Sequence, residues 1–316
     1  MRVLILLTLP EPVRAQYYAG LHEKFPDVEI RIADHYSKAI PLAGDVDALI
    51  TFGPMLRDEV LKAAPKLKWV QALGTGVDGI VDQPSLRKDV IVTKMHGFHG
   101  VPVSEAALLA MLALARNLPR AVRSQAARKW DRFPARTLDG KTVGILGVGA
   151  IAETLAPMCK AFGMRVVGLS GAPRVLPGFD EIFHRSDLVR VAAELDYLVL
   201  LTPLTEETRG IVNAEVLRVM KPSAFLVNLA RGGVVDEPAL VFSLQKNQIA
   251  GAALDVFAQE PLPEDNPFWS LPNVLITPHA GGFFDDYPKH ALPTIEENLR
   301  RFLAGDTKHM LNQVKR

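Results

Sequence analysis

The stretch Val143-Gly-Ile-Leu-Gly-Val-Gly-Ala-Ile-Ala152 joins a short apolar run to a turn that contains two glycines. The run predicts a buried strand, and residues 151–162 predict the helix that follows it. Gly147 permits the tight turn, Gly149 lets the backbone approach a pyrophosphate, and Ala152 is a tolerated third position. The free amides at the start of the helix would then face the phosphates. We interpret the stretch as the start of a dinucleotide-binding unit; a tight strand–helix turn without a ligand is the alternative.

The next predicted strand carries information about the cofactor. It ends at Ser170, where a fold that binds an unphosphorylated ribose usually has an acidic residue. No carboxylate is present there to bind two ribose hydroxyls or to repel a 2′-phosphate. Ser170 can donate a hydrogen bond and Arg174 can pair with a phosphate. The pattern favours NADP(H), with NAD(H) as the alternative, and a solvated loop arginine is the other interpretation of Arg174.

Short apolar runs alternate with helical patterns along the rest of the chain, which is typical of α/β domains with parallel sheets. In the first part we predict strands at 3–7, 28–32, 48–51, 69–72 and 90–93, and helices at 14–24 and 57–64. In the second part we predict strands at 143–146, 165–169, 197–201, 225–228, 251–254 and 274–277, and helices at 151–162, 214–220 and 238–246. The runs are almost entirely hydrophobic, as strands buried on both faces should be.

The segments between these two parts suggest how the domains are connected. Residues 103–117 predict a long helix, and the charged stretch 120–140 reads as an irregular connector. A last helix at 293–303 would return to the first domain. We therefore predict two doubly wound parallel-sheet domains with a cleft between them. A flavodoxin-like substrate domain would comprise 1–99 and 288–316, and a Rossmann cofactor domain would comprise 100–287.

The composition narrows the class of protein. Lys and Arg number 36 and Asp and Glu 35 among 316 residues, so no basic excess indicates a nucleic-acid partner. The single cysteine, Cys159, excludes an intramolecular disulfide and a cysteine-based zinc site, and we expect no metal. The apolar runs at 3–9 and 106–115 are too short for a signal peptide or a membrane span. We expect a cytoplasmic protein that does not bind membranes.

Three polar residues in the last third suggest a reaction. Arg231 lies in Asn228-Leu-Ala-Arg-Gly-Gly, Glu260 in Asp255-Val-Phe-Ala-Gln-Glu, and His279 in Thr277-Pro-His-Ala-Gly-Gly282. An arginine can hold a carboxylate, a histidine can transfer a proton near neutral pH, and a glutamate can orient that histidine. Each alone reads as an ordinary loop residue. All three follow predicted strands at their carboxyl ends, where open α/β sheets bind ligands, which favours hydride transfer on a small 2-oxo or 2-hydroxy acid.

Further stretches show a family resemblance. These are Lys68-Trp-Val-Gln-Ala-Leu-Gly-Thr-Gly-Val-Asp78, Gly144-Ile-Leu-Gly-Val-Gly149 and Leu201-Thr-Pro-Leu-Thr-Glu-Glu-Thr208. With the three polar segments they occur in the order and spacing of the D-isomer-specific 2-hydroxyacid dehydrogenases, which the chain resembles over nearly its full length. The resemblance implies that Arg231, Glu260 and His279 are catalytic, and it implies a homodimer formed through the cofactor domain.

The resemblance also implies the binding residues. The substrate would be held by Leu73, Gly74, Thr75 and Gly76, together with Arg231 and His279. By resemblance, Thr202, Pro203, Ala230 and Asp255 would line the nicotinamide end of the cofactor. The full predicted cofactor set adds Ala150, Ile151, Thr208 and Gly282 to these and to Gly147, Gly149, Ser170 and Arg174, which were argued above; Ser170 stands where the family usually has Asp. Ala150 departs from the arginine often found in the family, so one phosphate contact could be missing. The aromatic and acidic run Phe283-Phe-Asp-Asp-Tyr287 is unusual, and the sequence leaves open whether it shapes a pocket or a subunit contact.

The implied reaction is reduction of a 2-oxo acid, with His279 as the proton donor and Arg231 as the substrate anchor. Glu260 argues against the formate dehydrogenase branch, which typically carries Gln there. The end of the chain at Arg316 argues against the long phosphoglycerate dehydrogenases. A glyoxylate/hydroxypyruvate reductase, or another short 2-oxo acid reductase, fits best. The alternative is a nucleotide-sensing binding protein like the corepressors that resemble this family, without significant turnover.

Overall fold

The computed structural model describes residues 1–315, and the chain divides into two compact units. The first unit comprises Met1–Phe98 and Asp285–Arg316, and the second comprises His99–Phe284. The bounds drawn from the sequence differ from these by a few residues. That the first unit binds the substrate and the second unit binds the cofactor stays a prediction.

The described residues form strands in two sheets with helices between them. The strands are β1 (Arg2–Leu6), β2 (Glu29–Ala33), β3 (Ala48–Thr51), β4 (Trp69–Ala72), β5 (Ile91–Thr93), β6 (Thr142–Leu146), β7 (Arg165–Ser170), β8 (Glu181–His184), β9 (Tyr197–Leu200), β10 (Phe225–Asn228), β11 (Gly251–Leu254) and β12 (Val274–Ile276). The α-helices are α1 (Glu11–Lys24), α2 (Tyr36–Ala39), α3 (Asp58–Lys62), α4 (Gly100–Ala115), α5 (Leu118–Ala126), α6 (Ala150–Ala161), α7 (Leu188–Ala192), α8 (Ala214–Val219), α9 (Glu237–Gln245) and α10 (Tyr287–Leu303).

Both sheets are parallel and doubly wound, which confirms the predicted fold class. The first unit has the strand order β2-β1-β3-β4-β5, which is the flavodoxin-like order. The second unit has the order β12-β11-β10-β9-β6-β7-β8, which is a Rossmann order extended by one strand. Strand β6 lies between β7 and β9, so the direction of winding reverses beside it. Open α/β sheets bind ligands outside the carboxyl ends of the strands at such a reversal.

The sheet of the second unit is buried on both faces. In β9, Leu198 and Leu200 belong to one apolar cluster, while Tyr197 and Val199 belong to another. Successive side chains of a strand point to opposite faces, so the two clusters are the two layers of core that cover the sheet. This burial explains why the central strands are continuously hydrophobic in sequence rather than alternating with polar residues.

Helix α4 lies within one of these layers. Its residues Ala107, Ala110 and Met111 are buried in the same cluster as Leu155 of α6. Of the described helices, none alone is long and apolar enough to cross a membrane. Helices α4 and α5, which are bent by 67° from each other, reach that length and apolar composition only as a pair.

The prediction did not include the short helices α2 and α7, and it was wrong for three further elements. The connector begins with helix α5, because Pro119 stands in its first turn, where its fixed φ suits a helix, and Asn117 at φ 49° turns the chain out of α4. Strand β8 was missed because its residues are half-buried or exposed, as expected at the edge of a sheet. Helix α10 begins at Tyr287, and Pro293 lies inside it rather than at its start.

Candidate active site

The structure brings Glu260 and His279 together. The Nδ1 atom of His279 lies 2.7 Å from Oε2 of Glu260, and Oε1 of Glu260 accepts a hydrogen bond of 2.9 Å from the amide of Phe257. The side chain of His279 is 37% exposed and that of Glu260 is 22% exposed, so the ring is the more open of the two. Nδ1 faces the carboxylate, which leaves Nε2 as the ring nitrogen available to a ligand.

The surroundings of Glu260 keep it ionised. Burial acts to raise the pKa of this carboxyl group, but several interactions outweigh burial. They are the hydrogen bond and positive charge of His279, the amide of Phe257 and the positive charge of Arg231. Together they hold the pKa of Glu260 below its ordinary value. A carboxylate in this position can accept a hydrogen bond from Nδ1–H, which fixes the orientation of the ring.

Arg231 follows β10, on the same carboxyl edge of the sheet. Its side chain is half-buried, and Nη1 donates a hydrogen bond of 2.6 Å to the carbonyl of Ala230. Its charge acts on Glu260, so the predicted catalytic residues form one cluster in the second unit. The cluster combines a fixed cation with a hydrogen-bonded imidazole and carboxylate, which can bind an acid and transfer a proton to it.

Buried Asp255 holds the loop that carries His279. Its carboxylate accepts hydrogen bonds from the hydroxyl of Thr277 at 2.5 Å, the amide of Ala280 at 2.8 Å and the amide of Gly281 at 2.9 Å. Its carbonyl accepts a fourth from the amide of His279 at 2.8 Å. His279 has a left-handed backbone at φ 53°, a conformation that costs a residue other than glycine about 1–2 kcal/mol. The four bonds on Asp255 maintain that conformation. The predicted contact of Asp255 with nicotinamide stays a prediction.

Glu237 holds the loop that carries Glu260, and it was not predicted from the sequence. Its Oε1 accepts a hydrogen bond of 2.6 Å from the amide of Ala258. Burial raises the pKa of Glu237; the Ala258 amide opposes this rise and the charge of Glu260 adds to it. A Cβ on Gly232 would lie 1.9 Å from the backbone of Phe257, so only glycine allows this close packing. An acidic residue in the first turn of a helix is ordinary, and Glu237 therefore carried no signal in the sequence.

The glycine turn fits the phosphates of a dinucleotide. Gly147 has φ +102°, and a Cβ there would lie 2.5 Å from the amide nitrogen of Thr202. Gly149 precedes α6 without a side-chain cap, and a Cβ there would meet no atom within 4 Å. Ala150 and Ile151 open the helix, whose first-turn amides have no acceptor within it. An open, uncapped helix start of this kind is suited to an anion.

Ser170 and Arg174 lie where the ribose of a dinucleotide would be expected. The hydroxyl of Ser170 forms a local turn with the backbone of Ala172. Nη2 of Arg174 lies 3.0 Å from Oε1 of Glu153 and 3.4 Å from the carbonyl oxygen of Val148 in the glycine turn. Arg174 therefore folds back over the turn with its side chain 46% exposed, and its pairing with a phosphate stays a prediction.

A second arginine, Arg185, lies near Ser170, and it was not predicted either. Strand β8 pairs with β7 so that His184 is opposite Ser170, which places Arg185 next to the end of β7. The guanidinium carbon of Arg185 lies 3.2 Å from the position of a Cβ on Gly171. Arg185 forms an ion pair with Glu207. Nothing in the sequence marks Arg185, because the proximity arises from the pairing of an edge strand.

The other predicted cofactor residues lie along the same edge of the second unit. Thr202, Thr208 and Ala230 are buried, and Pro203 is exposed. The hydroxyl of Thr208 donates a hydrogen bond of 2.6 Å to the carbonyl of Pro203, so it holds the loop after β9. Gly282 is half-buried in the loop after His279. Their contacts with a cofactor stay predictions. Across residues 1–315 no group of three His, Cys, Asp or Glu side chains is placed to hold a metal ion.

The predicted substrate loop, Leu73–Gly76, belongs to the first unit and follows β4. The amide of Leu73 donates to Thr51 at 2.9 Å, and the carbonyl of Gly74 accepts from Met95 at 3.0 Å. Within the described chain the amides of Gly74, Thr75 and Gly76 have no hydrogen-bond acceptor. Successive free amides in a loop form a concave site for an anion such as a carboxylate.

Comparisons with known proteins agree on one family. Residues 108–281 match the family model described as D-isomer specific 2-hydroxyacid dehydrogenase, NAD binding domain. The D-3-phosphoglycerate dehydrogenase of Methanocaldococcus jannaschii is 34% identical over 288 residues, which cover 90% of this chain and 55% of the relative. The glyoxylate reductase of Pyrococcus furiosus is 34% identical over 279 residues, which cover 85% and 83%. The chain spans about half the length of the first curated relatives it matches.

A solved structure adds a similar fold with a bound cofactor. The NADPH-dependent glyoxylate/hydroxypyruvate reductase of Sinorhizobium meliloti, in complex with NADP and sulfate, superimposes with a TM-score of 0.82. The two chains are 26% identical, and the match covers 99% of this chain and 98% of the other. Among these relatives one is named for 3-phosphoglycerate and two for glyoxylate, so their names do not agree on a substrate.

Proposed function

Because the chain belongs to the D-isomer specific 2-hydroxyacid dehydrogenase family, we propose that it is an oxidoreductase that reduces a small 2-oxo acid with NAD(P)H to the D-2-hydroxy acid. Its substrate class would be that of a glyoxylate/hydroxypyruvate reductase. The observation that carries the proposal is the hydrogen bond between His279 and ionised Glu260, beside the charge of Arg231.

The proposed chemistry follows from these three groups. Bound NAD(P)H would supply the hydride that adds to the carbonyl carbon. As negative charge develops on the carbonyl oxygen, protonated His279 donates its Nε2 proton to that oxygen, which completes the alcohol. Glu260 keeps Nδ1 protonated and stabilises the imidazolium before the transfer. Arg231 holds the substrate by charge and hydrogen bonds, and stabilises the charge that develops on the oxygen.

The substrate carboxylate would be bound by the first unit. Gly74, Thr75 and Gly76 offer free amides, and hydrogen bonds from amides to a charged group are about twice as strong as neutral ones. No side chain need enter such a site, so it would bind the carboxylate common to all 2-oxo acids. Choice among these acids would then depend on contacts with the rest of the substrate.

For the cofactor we propose NADP(H) rather than NAD(H). Ser170 replaces the acidic residue that would repel a 2′-phosphate, Arg174 lies against the glycine turn, and Arg185 lies beside Gly171, which follows β7. Each arginine is paired with an exposed glutamate, Glu153 or Glu207, and an exposed ion pair contributes little. A phosphate with nearly two charges could replace either glutamate at small cost.

We also propose that the protein is a homodimer formed through the second unit. Large apolar residues are exposed close together in sequence on α4, α5 and the following segment: Leu109, Leu118, Val122 and Trp130. Trp130 is 92% exposed, which is unusual for so large an apolar side chain. Light scattering during size-exclusion chromatography should give twice the chain mass of 34.6 kDa, and a monomer would contradict this part of the proposal.

The test of function is oxidation of NADPH and of NADH by the purified protein, followed by absorbance. Glyoxylate, hydroxypyruvate and 3-phosphohydroxypyruvate would be supplied separately. Turnover with glyoxylate or hydroxypyruvate supports the proposal, and preference for the phosphorylated acid would assign the other activity found among the relatives. Binding of NADPH by fluorescence without turnover on any acid would overturn it and favour a nucleotide-sensing protein.

A further inference from the structure

The aromatic and acidic run at 283–287 has no role in the chemistry proposed above, yet its last residue is placed beside the substrate loop. Tyr287 begins α10 in the first unit and is 1% exposed. Its hydroxyl donates a hydrogen bond to the carbonyl of Leu73, the first residue of the loop. The ring packs between Phe52 and Phe98, with centroid distances of 5.8 and 5.2 Å. Burial raises the pKa of Tyr287, so its hydroxyl stays protonated and remains a donor.

The hydrogen bond on Leu73 determines the direction of a neighbouring amide. A peptide unit is planar and trans, so the carbonyl of Leu73 and the amide of Gly74 point in opposite directions. Tyr287 binds the carbonyl, and the Gly74 amide must therefore point away from Tyr287. The next peptide is fixed in the same way, because the carbonyl of Gly74 accepts from the amide of Met95 at 3.0 Å and directs the Thr75 amide away from Met95.

The loop needs such anchors because its own sequence does not fix it. Glycine accepts backbone conformations that other residues disfavour, so peptides beside Gly74 and Gly76 can rotate at little cost. Rotation of the peptide between Leu73 and Gly74 would turn the amide from the substrate side towards the protein. Tyr287 prevents this rotation from a site that water does not reach, where a hydrogen bond is electrostatically stronger.

We propose that Tyr287 is a positioning residue that holds the free amides of the 73–76 loop in the orientation that binds the substrate carboxylate. The inference rests on the proposed function, since it requires that this loop binds a 2-oxo acid. It gives the terminal tyrosine of the unusual run a definite role, because the phenol does not touch the substrate but fixes the direction of the group that does.

The chain provides a matched control. Tyr17 of α1 is also in the first unit and is fully buried, and its hydroxyl has no hydrogen-bond partner among residues 1–315. Tyr17→Phe and Tyr287→Phe therefore remove the same atom from two buried sites. Only the second substitution removes a hydrogen bond to the substrate loop.

Two measurements test the proposal. Tyr287→Phe should raise KM for the 2-oxo acid about tenfold, the effect of losing one hydrogen bond to a charged group, while the dissociation constant of NADPH changes less than about twofold. Hydrogen exchange at the Met95 amide should also become faster, because its acceptor, the Gly74 carbonyl, is no longer held. Tyr17→Phe should change neither quantity.

The outcomes separate this proposal from the function it rests on. An unchanged KM and unchanged exchange in Tyr287→Phe would overturn the positioning role, as would equal effects of the two substitutions. If the wild-type protein turns over no acid, the proposed function fails. The exchange measurement would still show whether Tyr287 holds the loop.

Discussion

Replacement of Asp255 by Asn should uncouple the His279 loop from the sheet. The buried carboxylate uses Oδ1 for Thr277 and Ala280 and Oδ2 for Gly281. Asn has the same shape but only one acceptor oxygen. If that oxygen faces Thr277 and Ala280, the side-chain NH2 group must face the amide of Gly281, and two donors then oppose each other.

The cost follows from counting these bonds. One hydrogen bond to a charged group is lost, which costs about 1.5–3 kcal/mol, and the amide of Gly281 is left without an acceptor, which costs about 1–3 kcal/mol. The two remaining side-chain bonds, from Thr277 and Ala280, also weaken, because their acceptor is no longer charged. We expect the free energy of unfolding to fall by about 3 kcal/mol. We also expect the turnover number to fall about 100-fold, because His279 would leave its left-handed conformation and misplace the imidazole.

Urea unfolding followed by circular dichroism measures the first effect, and steady-state turnover measures the second. Asp236→Asn is the matched control, since Asp236 caps α9 by accepting from the amide of Ala239 at 3.1 Å. Asn caps helices as well as Asp, so this variant should stay within about 0.5 kcal/mol of the wild type. A loss below about 1 kcal/mol in Asp255→Asn, or an equal loss in the control, would refute the reasoning.

Three further predictions concern the proton donor, the cofactor and the pH dependence of stability. His279→Asn should lower turnover about 1000-fold while NADPH binding is kept, as expected for loss of a general acid; turnover at the wild-type rate would eliminate that role. Arg174→Ala and Arg185→Ala should each weaken NADPH binding about tenfold and leave NADH binding within about twofold, and equal losses for both cofactors would reject a contact with the 2′-phosphate. Burial and the charge of Glu260 raise the pKa of Glu237 in the folded protein, so folding favours the protonated carboxyl group. The stability that this group contributes is fully present below its pKa in the unfolded chain, and it is lost as the pH rises through its pKa in the folded protein. Glu237→Gln should therefore raise Tm at pH 7.5 and leave it unchanged near pH 4, and a lower Tm at pH 7.5 would contradict this sign.

The sequence predicted the interior of the fold well and its margins poorly. Strands such as β10 and β11 were placed at their observed bounds, because burial on both faces requires a continuous apolar run. The edge strand β8 and helix α5 lie where fewer side chains are buried, so the pattern of apolar residues indicates them only weakly. Local chemistry also misled: the stretch 120–140 was predicted to be irregular, but helix α5 begins just before it, with Pro119 in its first turn.

For the candidate site, the sequence by itself determined which groups are present and at which edge of the sheet they emerge. Arg231, Glu260 and His279 each follow a strand of one parallel sheet, and strand ends of such a sheet meet at one edge. Gly147 of the turn was identified for a similar reason, because its backbone at φ +102° and its close approach to Thr202 require a glycine.

Only the tertiary structure decided which side chains hold these groups in place. Asp255 binds the His279 loop, Arg185 approaches Ser170 across a strand pair, and Tyr287 binds Leu73, a residue 214 positions away in the chain. Periodic patterns in a sequence record how much each position is buried, which is a local property. A hydrogen bond between distant residues depends instead on how whole elements pack against one another, and no pattern at either end of such a bond specifies its partner.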